Sequence, residues 1–199
     1  LQLGKKLGSF LGQTSQLRIS KIGLHYYGDL TQINHKPVSN YILKAILQHV
    51  LSAEINEINA RSYARERGIL LAETANSRQR SYSNLIRIQL QSSKKTESIE
   101  GAILHRGNLR LIAVDNIPVE APLGEHILMI RNSDQPGVIG QVGMILGDAQ
   151  INIASFVLGR DAKRPHAIGI VNTDETIPEE VLDQIRSVPA VQFAKTVHL

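Results

Sequence analysis

The residues best placed to do chemistry lie in one stretch, Arg131-Asn-Ser-Asp-Gln-Pro-Gly-Val-Ile-Gly140. His126 to Arg131 is a short apolar run of strand length, which Pro136-Gly137 breaks before a helix over Val138 to Asp148. A strand running straight into a helix N-terminus leaves backbone N–H groups pointing out of the turn, at the positive end of the helix dipole. That arrangement suits a small anion such as a carboxylate. Asp134, just before the Gln-Pro-Gly turn, adds the opposite charge close by. Amide donors beside a carboxylate fit a zwitterion, which is to say a free amino acid. A plainer reading of Asp134 stays open, in which it only satisfies helix amides as a cap.

Other chemistries lack their residues. The chain has no Cys, so disulfides, thiolate metal sites and cysteine nucleophiles are excluded. Its 7 His are scattered without metal spacing, His25 and His35 being the nearest pair, and His105 and His166 read as structural or surface residues. No metal site is expected, and no Ser/His/Asp arrangement can be argued. No Gly-x-Gly-x-x-Gly stands between a strand and a helix. Gly137, Gly140, Gly143 and Gly147 fall within a helix and lack the tight pair that cradles a pyrophosphate, so neither a nicotinamide cofactor nor a catalytic residue is expected in these 199 residues.

Several elements must position the central stretch. Ala149 joins Val138, Ile139, Val142, Ile145 and Leu146 on one face of the helix after Pro136. Strands follow at Ile151 to Leu158 and Ala167 to Asn172, then a helix at Pro178 to Ser187 and a last strand at Val191 to Leu199. Upstream, Leu1 to Gly12 keeps a helical stripe that its glycines weaken; residues 1–14 are read as the tail of a helix belonging to something upstream. Leu17 to Leu24 has strand character, with a slip at Ser20-Lys21 that a bulge would explain. Val38, Tyr41, Ile42, Ala45, Ile46, His49, Val50 and Ala53 recur at helical spacing. A shorter helix from about Asn59 to Arg67 ends at Gly68. Strands are expected at Ile69 to Ala75, Leu85 to Gln91, Ile99 to Leu104, Leu109 to Val114 and Ile117 to Ala121, with Asp115-Asn116 as the last turn. This half is expected as α+β, its antiparallel strands in consecutive hairpins, and it joins the next domain around Pro122.

Composition sets the outer limits. Hydrophobic residues make up 42% of the chain, enough for cores, and aromatics only 4%, so those cores are built of Ile, Leu, Val and Ala. No apolar run nears the roughly 20 residues of a membrane span, and no signal peptide is visible. The expectation is a soluble, cytoplasmic protein without membrane or nucleic-acid partners. The net charge of +4 is dispersed, with Lys5-Lys6, Arg78/Arg80 and Lys94-Lys95 its densest spots.

Asn132-x-Asp134-x-Pro136-Gly137-x-x-Gly140, then a helix and Ile151-Asn152-Ile153, resembles an ACT domain, the βαββαβ ferredoxin-like module that binds amino acids. The first half resembles the intervening, allosteric substrate-binding domain of D-3-phosphoglycerate dehydrogenases. Ile58-Asn59-Ala60…Ala64-x-Glu66-Arg67-Gly68 carries that likeness, with Gly101-Ala-Ile-Leu104 and Arg110-Leu-Ile-Ala-Val-Asp-Asn-Ile. Together the two cover nearly the whole chain, as residues 1–122 and 123–199. The resemblance implies the C-terminal regulatory part of an NAD-dependent oxidoreductase of serine biosynthesis. It would sense L-serine or a similar amino acid and form a homo-oligomer, dimer or tetramer, through both domains. NAD would belong to the parent enzyme.

The resemblance also implies residue roles. The amides of Val138 and Ile139, whose side chains pack inward, would meet the effector's carboxylate and Asp134 its ammonium, with Asn132 and Asn152 completing the cage. Asn152 would reach across a two-fold interface, although it also reads as an ordinary turn residue. Arg110 would hold an anion in the first domain, or merely sit on a solvated strand face. The family's second basic residue there falls near Ala121-Pro122, neither of them charged, and Arg106 is a possible substitute. Three alternatives remain open: part of an iron–sulfur serine dehydratase, a free-standing amino-acid sensor, or an oligomerisation module without effector.

Overall fold

The computed structural model describes residues 1–32, 34–51, 54–76, 82 and 84–199, and every residue in them but the side chain of Arg106. Ala53 and the Arg78/Arg80 pair, and that side chain, thus lie outside the described residues. By its contacts the chain divides into two units, Leu1–Asn116 and Ile117–Leu199.

In the first unit two helices, α1 (Gln2–Thr14) and α2 (His35–Val50), lie against each other. The helix expected as an upstream tail is therefore packed within this unit, and its glycines are the reason. Gly4, Gly8 and Gly12 recur every fourth residue and face α2. A Cβ on Gly8 would stand 2.9 Å from the carbonyl oxygen of Ile42, and one on Gly12 the same distance from that of Ile46. Asn34 caps α2 by accepting the Lys36 N–H at 3.1 Å. A short helix α3 (Ala60–Glu66) ends at Gly68, whose φ of +70° is the left-handed conformation expected of it.

The strands of this unit are β1 (Lys21–Gly28), β2 (Leu70–Asn76), β3 (Asn84–Gln91), β4 (Thr96–Ile103) and β5 (Leu109–Val114), in the order β2-β1-β3-β4-β5. Two expectations need correction. β1 begins at Lys21 rather than Leu17 and needs no bulge, since its register with β3 is continuous from Lys21↔Gln91 to Gly28↔Asn84. Nor are the strands all antiparallel hairpins: β2 pairs parallel to β1. The chain leaves β1, passes through α2 and α3 and returns on the far edge of β1, the long crossover connection that a parallel pair requires. β3 to β5 are antiparallel as expected, with a bulge between Glu100 and Gly101. Asp115 and Asn116 make the turn after β5, with φ of 50° and 66°.

The second unit holds β6 (Ile117–Pro122), β7 (His126–Ser133), α4 (Val138–Asp148), β8 (Ile153–Arg160), β9 (His166–Thr173), α5 (Glu179–Arg186) and β10 (Val191–His198). Four strands form an antiparallel sheet ordered β10-β7-β9-β8, the ferredoxin-like arrangement. Val142 and Leu146 of α4 and Leu182 and Ile185 of α5 pack on Leu128, Ile130 and Val171 of the sheet. The stripe on α4 is narrower than expected: Val138, Val142 and Leu146 are buried, but Ile139 and Ala149 are exposed. β8 starts at Ile153 rather than Ile151, because the end of α4 claims the intervening residues. Gln150 takes a left-handed φ of 57° and donates to Gly147, while Ile151 donates to Leu146.

Buried Asn172 ties the β6–β7 connection to this sheet. Its Oδ1 accepts the Gly124 N–H at 3.0 Å, and its Nδ2 donates to Ser155 Oγ at 3.1 Å and to the Pro122 carbonyl at 3.3 Å.

Candidate functional site

The turn from β7 into α4 is shaped by two residues. Pro136 lies in the turn beyond the end of β7 at Ser133, and Gly137 takes φ +92°, a conformation a side chain would strain, as the N-cap of α4. A glycine cap has no side chain to offer, and no side-chain cap bond forms there. The first amides of α4 thus point outward at the positive end of the helix. They meet a cavity of about 350 Å3 lined by Asn132, Asp134, Gly137, Val138, Leu158 and Arg160, among others.

Asp134 does not cap the helix. Its carboxylate Oδ1 lies 3.4 Å from Nε of Arg160, at the end of β8, and its backbone N–H donates to the Pro165 carbonyl at 3.0 Å. The β8–β9 hairpin therefore holds the β7–α4 loop twice, once through charge and once through backbone. Asn132 is buried, on β7 between Ala167 of β9 and Val191 of β10, and its Nδ2 donates to the Ser133 carbonyl at 2.8 Å. Val138 is buried and contributes to the cavity's lining. Ile139 also lines the cavity, but its side chain is 47% exposed, so it does not pack inward as expected.

Four of the five expected effector residues, Asn132, Asp134, Val138 and Ile139, thus share one cavity. Asn152 is not among its lining residues. It stands before β8, where its Nδ2 donates to Asp174 Oδ2 at 2.6 Å and its carbonyl accepts the Asp174 N–H at 3.2 Å. Leu158 and Arg160 line the cavity without having been anticipated. Arg160 could have been suspected only from a charge closing the strand after Ile153, which is a weak signal.

In the first unit Arg110 lies on β5 opposite Ala102 of β4, half-exposed. Arg106 belongs to the short 3-10 turn His105–Gly107 that precedes that strand. A second cavity, of about 340 Å3, lies beside α3 and β2 and is lined by Arg61, Arg65 and Leu70 rather than by Arg110. Arg61 is engaged there by Asn40 and Glu73, each at 2.6 Å. Both histidines of the nearest pair in the sequence contact neighbours within this unit. His25 contacts Thr74 and Gln89, while His35 stacks on Tyr26 at 4.4 Å between ring centroids. Among the described residues no helix is long and apolar enough to cross a membrane.

Residues 1–115 match the domain family described as D-3-phosphoglycerate dehydrogenase intervening domain, and residues 126–190 match the ACT domain. A D-3-phosphoglycerate dehydrogenase of Synechocystis is 33% identical over 200 residues, covering 100% of this chain and 36% of that protein. One from Methanocaldococcus jannaschii is 32% identical, covering 99% of this chain and 37% of its own length. One from Bacillus subtilis is 26% identical, covering 100% and 38%. The chain spans little more than a third of the length of these curated relatives.

Proposed function

Because this chain belongs to the D-3-phosphoglycerate dehydrogenase family, we propose that it senses L-serine in its ACT domain and helps to assemble the subunits of such an enzyme. Its two matched domains are the regulatory C-terminal region of that family. Oxidation of 3-phosphoglycerate with NAD would fall to parts of the protein other than these 199 residues. Gly140, Gly143 and Gly147 lie along α4 itself, where no loop is available to cradle a pyrophosphate, so these residues do not fit the nucleotide.

One observation carries the effector reading: the outward amides of α4 and the Asp134 carboxylate open on the same cavity. Serine's carboxylate would meet the amides, and its ammonium would meet Asp134. Serine bound where two ACT domains associate would favour one arrangement of subunits through its differential affinity for it. Calorimetry tests this directly. L-serine is expected to bind, and Asp134→Ala to weaken it roughly tenfold to a hundredfold, the value of a charge-assisted hydrogen bond. Asp148→Ala, at the far end of α4, is the control, and equal effects of the two substitutions would remove Asp134 from the site. Assembly is tested separately. Light scattering at micromolar concentration is expected to report a dimer or larger, and a monomer would count against a shared effector site.

The Arg160–Asp134 contact also favours a second reading, since it satisfies the carboxylate without any ligand. A domain whose site is closed by its own side chains would serve assembly alone. Self-association with no response to any amino acid would select that reading.

A further inference from the structure

We propose that Arg160 is a specificity-determining residue of the amino-acid site: it yields Asp134 to the ligand's ammonium and itself takes the ligand's carboxylate. The inference rests on the effector reading above. It adds a residue and a selection rule to that reading.

Arg160 and Asp134 come from different elements, the end of β8 and the loop after β7, and both line the cavity that the α4 amides enter. Their charged atoms are 3.4 Å apart. The two sides of this pair are not equally fixed. Asp134 has 30% of its side chain exposed, and its backbone is tied to Pro165, whereas Arg160 has 69% of its side chain exposed. An exposed ion pair of this kind is weak, because water screens it and holding the long side chain in place costs entropy. Arg160 is therefore the partner that moves, and opening the pair costs little.

What may enter is then set by charge balance. A free amino acid carries both charges on one carbon, so it can slip between the pair and leave each protein charge with an opposite partner. Its carboxylate would lie between the Arg160 guanidinium and the α4 amides, both donors. An amine without a carboxylate would occupy Asp134 but displace Arg160 with nothing in return. A hydroxy acid without an ammonium would take Arg160 and leave Asp134 facing the carboxylate. The pair thus acts against both single-charge analogues, which is specificity by mismatched charge as much as by attraction.

The test measures L-serine, L-serine methyl ester and 3-hydroxypropionate by calorimetry on the full-length protein, as wild type, Arg160→Gln and Arg164→Gln. Wild type is expected to prefer serine to both analogues. Arg160→Gln should weaken serine about tenfold while leaving the methyl ester, which has no carboxylate to lose, unchanged or tighter. Arg164→Gln, exposed on the same hairpin, should change neither. If serine binds wild type and Arg160→Gln alike, the inference fails while the serine reading stands. Tighter serine binding by Arg160→Gln also overturns it, since Arg160 would then merely compete for Asp134. If no amino acid binds wild type, the effector reading itself falls, and the inference with it.

Discussion

His49 sits at the end of α2, with its Nε2 3.2 Å from Ser9 Oγ of α1 and 3.2 Å from Gln48 Nε2. Although His49 is exposed at the surface, partial desolvation beside Ser9 of α1 holds its imidazole below the ordinary value of 6.5. A depressed value means that the unfolded chain takes up the proton first as pH falls. The contribution is thus fully present above 6.5 and is lost as pH drops from there through the lower folded value. Denaturant midpoints compared at about pH 8 and about pH 5 should show wild type losing more stability on acidification than His49→Gln. An identical loss would mean that the ring is solvated in both states. At this scale, what could be read in the sequence depended on distance along the chain. Asn132, Asp134 and Val138 fall within one turn, so their convergence follows from a strand meeting a helix. Arg160 reaches them only because β8 and β9 form a hairpin whose end folds over that turn. Asn152 was singled out by a motif, yet within one chain its amide is taken by Asp174.

Glycines in the helices carry opposite meanings in the two units, and this sets an element-scale prediction. On α1, Gly8 lies so near α2 that a Cβ would stand 2.9 Å from the Ile42 carbonyl oxygen and 3.0 Å from the Ala45 Cβ. Backbone cannot give way as a side-chain tip can, so Gly8→Ala should cost about 1–3 kcal/mol of stability. That loss outweighs the gain of about 1 kcal/mol that alanine brings to a helix interior. On α4 nothing lies within 4 Å of a Cβ at Gly143. Gly143→Ala should therefore stabilise the chain by up to about 1 kcal/mol. Chemical denaturation of the two variants should shift in opposite directions, and shifts of the same sign would refute the close approach of α1 and α2. Sequence periodicity saw the α1 glycines only as weak helix formers, because the reason for them is a second helix distant in the chain. Strand order was hidden for the same cause. Alternation in Leu85 to Gln91 announces a strand, but nothing local says that β1 lies between β2 and β3. The second unit was easier to read, since the motif around Pro136-Gly137 resembles an ACT domain and that resemblance carries a strand order with it. Even so, β10 does not alternate cleanly, because a bulge falls between Val191 and Phe193 and its buried residues are Ala194 and Val197.

At the scale of the whole chain, the net charge of +4 means that any anion will be drawn weakly to the surface. A specific anion site on the first unit must be told apart from that background. Arg110, half-exposed on β5, is the residue to test. If it holds a phosphate or a phosphorylated acid, that ligand should raise the melting temperature, because binding to the native state alone adds RT ln(1 + [L]/Kd). The gain is about 2.7 kcal/mol at a hundredfold excess over Kd. Chloride at matched ionic strength supplies the control, since exposed charges are screened alike by both salts beyond about 10 Å at 0.1 M. Arg110→Gln should abolish the difference between phosphate and chloride. Arg131→Gln removes the same charge from β7, where the guanidinium lies 5.0 Å from the centre of the Phe193 ring, and should leave that difference intact. Arg131→Gln can lower the melt itself through the lost ring contact, so the quantity compared is the phosphate increment and not the midpoint. Arg106→Gln then asks whether the turn before β5 supplies the second cation. Equal shifts from phosphate and chloride in wild type would assign Arg110 to the solvated face of its strand.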